Sequence, residues 1–146
     1  MLIYKNGRLH YSKFSFAILD DFYLKTGSIG EANYFITLVS PDKRFSVDLS
    51  IIEDSEGAYE ELVSVIEDMA PSIVYPISPI SINGIQGYHA TYRAKRTQYY
   101  EAWLDIDSGV TFNLVIETTG DILSIDCTKL FADVAPQLKL NELRQL

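Results

Sequence analysis

A chain of 146 residues, 47% of them apolar, is long enough to bury a core without a metal, and its one cysteine, Cys127, excludes a cystine framework. A formal net charge of −8, from 20 acidic and 12 basic side chains, argues against a nucleic-acid partner, because that affinity rests on basic groups neutralising phosphates. No apolar run nears the roughly 18 residues that a membrane-spanning helix needs.

The opening Met1-Leu2-Ile3-Tyr4-Lys5-Asn6-Gly7 lacks the apolar stretch and cleavage site of a signal peptide. The expectation is a cytoplasmic protein as written, or an exported one if a signal has been trimmed from its start. Leu2–Tyr4 and Leu9–Tyr11 predict a hairpin turned at Asn6-Gly7, two residues that tolerate positive φ. Phe14–Ile18 alternates as a strand, Asp20-Asp21 reads as a turn, Phe22–Leu24 continues the sheet, and Gly27–Gly30 reads as a loop. Tyr34–Val39 and Phe45–Ile51 form a second hairpin, with Pro41 fixing φ in the Ser40-Pro41-Asp42 turn.

Gly57–Ala70 predicts a helix, since Ala58, Leu62, Val65, Ile66 and Met69 share a stripe at 100° per residue. Asp54 or Ser55 is its expected cap, and Pro71 stops it. Acids crowd around it at Glu53, Asp54, Glu56, Glu60, Glu61, Glu67 and Asp68, with no Lys or Arg among them. That run is either a solvated helix face or a docking surface for a basic partner. Pro71, Pro76 and Pro79 mark an extended connector. Ile80–Ile82, Tyr88–Ala94, Gln98–Ile106 and Val110–Thr118 then form a meander. A second amphipathic helix is expected over Ile122–Ala135, with Cys127 on its apolar stripe and Asp121 as its cap. The sum is a single α+β domain over residues 1–146, with amphipathic helices packed on an antiparallel sheet in the order β-β-β-α-β-β-β-α.

The aromatic-rich strand and turn Phe14-Ser15-Phe16-Ala17-Ile18-Leu19-Asp20-Asp21-Phe22-Tyr23-Leu24 opens this order. The helix after Asp54-Ser55, then Ile82-Asn83-Gly84-Ile85-Gln86-Gly87-Tyr88, a long meander and a final helix complete it. In that order the chain resembles the PsbP/Mog1-like superfamily. The resemblance implies an α/β/α sandwich and a binding or accessory role; known members include a photosystem subunit and a Ran-binding import factor. It implies no site residue, because that superfamily shares no catalytic motif.

The chemistry-bearing residues are few. Gly27-Ser28-Ile29-Gly30 lacks the Gly-Lys-Ser/Thr ending of a phosphate loop. His10, His89 and Cys127 are too few soft ligands for a structural zinc. Neither a catalytic residue nor a metal or cofactor is therefore assigned. The meander carries the candidates. If Lys95–Thr97 and Asp107–Gly109 are three-residue loops, Ala94 pairs with Gln98 and Ile106 with Val110. One sheet face is then apolar, from Tyr88, Ala90 and Tyr92 across to Phe112, Leu114 and Ile116. The other face gathers His89, Trp103 and Asn113 in one row, Thr91, Glu101 and Val115 in the next, and Arg93, Tyr99 and Glu117 in the third. Either a helix covers this face, or it is a groove that grips a polar ligand or peptide.

Two functions compete on these grounds. The first is a non-catalytic binding or accessory domain for a protein or peptide partner. The second is a small-molecule binder or enzyme using the Trp103, His89 and Glu101 face; a helix lying flat over Trp103 counts against it. Homo-oligomerisation through the meander is a further expectation for the partner.

Overall fold

The computed structural model of the protein describes residues 3–5, 8–11, 14–17, 23–29, 33–39, 44–82, 84–119 and 140–142. Short strands β1 (Ile3–Lys5), β2 (Arg8–Tyr11), β3 (Phe14–Ala17) and β12 (Leu140–Glu142) form a small sheet in that order. The large sheet is built from β4 (Tyr23–Ile29), β5 (Asn33–Val39), β6 (Ser46–Glu53), β7 (Ile73–Val74), β8 (Ser78–Ile82), β9 (Ile85–Ala94), β10 (Thr97–Asp107) and β11 (Val110–Thr118). Helix α1 (Ala58–Met69) lies between β6 and β7 in the chain. The large sheet is ordered β4-β5-β6-β11-β10-β9-β7, with β8 also on β9, and its pairings are antiparallel. The fold is α+β, dominated by antiparallel sheet.

The element order differs from the expected β-β-β-α-β-β-β-α. Six strands precede α1 and six follow it, and α1 is the one helix among the described residues. Pieces as short as β7 and β12 are too brief for alternation to reveal. β4 also runs through Gly27, where a loop was expected, because β5 supplies partners for Thr26, Gly27, Ser28 and Ile29. A neighbouring strand outweighs the weak strand preference of glycine. The helix expected over 122–135 and the turns at Asp20-Asp21 and Ser40-Pro41-Asp42 lie outside the described residues.

Two meanders meet at the middle of the sheet. β11 pairs with β6 from Val110↔Glu53 to Glu117↔Ser46, joining the first half of the chain to the second. One face of this seam is apolar and closed: Val47, Leu49, Ile51, Phe112, Leu114 and Ile116 are all buried. α1 covers the other face near β9 and β10. Its Ala58 and Leu62 pack on Ala90 and Trp103, with Ile52, Val65, Ile66, Ile77 and Tyr88 around them. Full burial of one leucine such as Leu62 contributes roughly 1.5–3 kcal/mol.

The cap of α1 comes from an unexpected place. The Ala58 N–H donates to Asp105 Oδ1 of β10 at 2.9 Å, while Ser55 Oγ accepts from Gly57 N–H at 3.1 Å. Ser55 is itself held to the β10–β11 turn through Gly109 O and Thr111 Oγ1. At the other end Ala70 adopts φ 46°, returns its N–H to Ile66 and Glu67 carbonyls, and hands the chain to Pro71.

Candidate functional site

The register of the meander decides which residues share a face. β10 and β11 pair as expected at the sites that matter, with Trp103↔Asn113, Glu101↔Val115 and Tyr99↔Glu117. β9 and β10 pair one residue away from expectation: Ala94↔Thr97, Tyr92↔Tyr99 and Tyr88↔Trp103. The loop is the two-residue Lys95-Arg96, because Lys95 takes φ 57° and closes the turn early. The far turn is also tighter than expected: Asp107 pairs with Val110 across an irregularity after Asp105.

That single slip divides the candidate residues. Trp103, Asn113, Glu101, Tyr99 and Glu117 stand on the α1 side of the sheet, joined there by Tyr88 and Tyr92. His89 and Arg93 stand on the opposite side, cross-strand from Ala102 and Gln98. His89 Nδ1 lies 2.7 Å from the Tyr100 hydroxyl, and burial lowers its pKa from the ordinary imidazole value. The expected rows His89–Trp103–Asn113 and Arg93–Tyr99–Glu117 are corrected to Tyr88–Trp103–Asn113 and Tyr92–Tyr99–Glu117. No His89–Glu101 acid–base pair can form through the thickness of a sheet.

Trp103 is 4% exposed beneath Ala58 and Leu62. Its Nε1–H donates to Glu101 Oε2 at 2.6 Å, and the Tyr92 hydroxyl donates to Glu101 Oε1 at 2.7 Å. Burial raises the Glu101 pKa above the carboxylate norm, while hydrogen bonds from Tyr92, Trp103 and Asn113 pull it back. Burial, then the Glu101 charge, raises the Tyr92 phenol, and Tyr92 stacks on Tyr99 with ring centroids 4.9 Å apart. Asn113 Nδ2 donates to Ala102 O at 3.1 Å. Glu101 thus accepts from neighbours on its own and adjacent strands, and ties β9 to β10. Its oxygens are occupied by the fold, and α1 closes the way to Trp103.

The open surfaces lie elsewhere. Glu117, with Val39, Arg44, Phe45, Ser46, Thr97, Thr118 and Thr119, lines a cavity of about 280 Å³ at one end of the sheet. No group of three or more His, Cys, Asp or Glu among the described residues could hold a metal. At the β9 edge, Ile73, Val74 and Tyr75 are 42%, 50% and 48% exposed, and Tyr59 on α1 is 48% exposed. Glu60, Glu67 and Asp68 are exposed on α1, and Asp54 and Glu56 before it. In the sequence Ile73-Val74-Tyr75 reads only as part of a proline-bounded connector, and the signal that marks it is an apolar triplet between Pro71 and Pro76.

Charge separates this stretch of the sequence from the rest, although Arg93 of β9 pairs with Ile73 in space. Between Arg44 and Arg93 there is no Lys or Arg, while Asp48, Glu53, Asp54, Glu56, Glu60, Glu61, Glu67 and Asp68 all fall there. These eight acids equal the entire net charge of −8, and the other twelve acids balance the twelve bases.

No protein-family model and no curated protein sequence matches the chain. Among solved structures it is similar to a protein of Bacteroides thetaiotaomicron VPI-5482, whose crystal structure was determined at 1.50 Å. The similarity has a TM-score of 0.52 at 15% identity, over 94% of this chain and 50% of that one. The chain therefore spans half the length of that neighbour, and the likeness is one of fold.

Proposed function

We propose that the chain is a binding or accessory domain that docks a basic protein or peptide partner on the layer formed by α1 and the β7 edge. The observation that carries this reading is the exposure of the acids Glu60, Glu67 and Asp68 on α1, within a stretch of sequence that has no Lys or Arg, together with exposed Tyr59, Ile73, Val74 and Tyr75. Aromatic and aliphatic anchors supply contact area, and the surrounding acids steer a cationic partner and set its orientation. The resemblance to the PsbP/Mog1-like superfamily, whose known members serve as accessory or binding proteins, points the same way. The small-molecule reading built on Trp103, His89 and Glu101 loses its geometry, since α1 covers Trp103 and His89 faces away from it.

Titration of the isotope-labelled protein with short basic and short acidic peptides tests the proposal. Basic peptides are expected to shift amides of residues 54–75. The effect should fade at high salt, where the screening length falls below about 8 Å. Shifts confined to the Arg44–Glu117 cavity, or equal binding of both peptide classes, would sink it.

A further inference from the structure

Among the described residues β7 ends the order of the large sheet, and its outer side carries the mark of an unfilled strand position. The Tyr75 N–H donates inward to Thr91 O at 3.0 Å, in register with the pairs Ile73↔Arg93 and Val74↔Tyr92. Backbone groups alternate along a strand, so the N–H and C=O of Val74 face away from β9. Natural sheet edges are commonly guarded by lysine, by proline or by a covering element. This edge has no lysine, and Val74 is half exposed. Pro71 and Pro76 leave Ser72–Tyr75 as the length able to pair. The opening is short and bounded rather than blunted.

The helix leading into it is electrostatically mismatched. α1 has acids in its first turn, where they suit the dipole, but no base in its last turn. Glu67 and Asp68 instead stand at the negative end of the helix, immediately before Pro71 and β7. A fold optimised for its own stability would place a cation there. Local conflicts of this kind collect where a protein meets something else.

Together these observations name an occupant. We infer that an extended segment of the partner, alternating basic and apolar side chains, adds as a strand outside β7. Val74 holds its backbone, Ile73 and Tyr75 pack against its apolar side chains, and Glu67 and Asp68 receive its Lys or Arg. A second copy of this chain is disfavoured as occupant, because it would bring a like-charged edge against this one. The inference rests on the binding function proposed above and specifies its mode.

The test uses the full chain and a synthetic peptide of alternating valine and lysine. A matched peptide, methylated on the backbone nitrogens of one side, keeps the charge and loses the ladder. Strand addition predicts at least tenfold slower hydrogen exchange at Val74 with the first peptide, and at least tenfold weaker binding of the second. The double variant Glu67→Lys, Asp68→Lys should bind the first peptide at least tenfold more weakly while keeping native Trp103 emission, which separates lost docking from lost folding. Equal binding of both peptides would overturn the strand mode and leave charge-driven docking standing. Binding of neither would overturn both. Protection of Val74 that rises with protein concentration alone would make the occupant a second copy and overturn the inference.

Discussion

Glu101 is a buried acid that no Lys or Arg among the described residues neutralises; its partners are a phenol, an indole and an amide. Because burial holds its folded pKa above the unfolded one, the folded state retains this proton more readily than the unfolded chain does. Its contribution to stability is therefore complete below the unfolded pKa and is lost as pH rises through the raised folded value. Chemical denaturation across that interval should show wild-type stability declining with a slope that Glu101→Gln removes. His89 titrates with the opposite sign. Its lowered pKa favours the neutral ring in the fold, so that contribution is lost as pH falls below the ordinary imidazole value. His89→Gln should remove this second slope and leave the first, and a single variant that erased both would contradict the separation of the two residues by the sheet.

Among the elements, the β9–β10 hairpin shows where reading the sequence succeeds and where it stops. Alternation placed Trp103 opposite Asn113 and gave the closed face of Ala102, Leu104, Phe112, Leu114 and Ile116, because a slip there would turn every apolar side chain outward. No such penalty guards β9: Tyr88, Ala90 and Tyr92 suit either face, and nothing in Lys95-Arg96 announces a positive φ. One residue of slip was enough to move His89 and Arg93 out of the candidate site. The cap of α1 was equally hidden, since its acceptor is Asp105, 47 residues from Ala58. Packing of α1 gives a direct check. Leu62→Ala should cost about 2–5 kcal/mol and shift Trp103 emission to the red, with iodide quenching the variant but not the wild type. Gly87 sits under a tighter constraint, as a Cβ there would lie 1.9 Å from the Trp103 carbonyl oxygen. Gly87→Ala should lower stability by more than about 1 kcal/mol, because the obstacle is backbone and cannot swing away.

At the scale of the molecule, the β6–β11 seam joins the two meanders into one sheet, while the charge makes them unequal. The acidic edge repels itself in the free protein, and a basic partner would relieve that repulsion. Glu67→Gln with Asp68→Gln should raise the melting temperature by roughly 2–4 °C and flatten its rise with added salt; no change would mean that the last turn of α1 bears no electrostatic strain. The tertiary cap carries a further consequence for synthesis. α1 emerges from a ribosome well before Asp105, the residue that anchors its first turn. At roughly 5–20 residues per second, it waits on the order of seconds for that anchor. During that interval the apolar stripe of Leu62, Val65 and Ile66 lacks Ala90 of β9 and Trp103 of β10, with only Ile52 of β6 already made, and the dense negative charge beside it would keep nascent chains apart. The acids around α1 would thus shield an unfinished surface before they line a finished one.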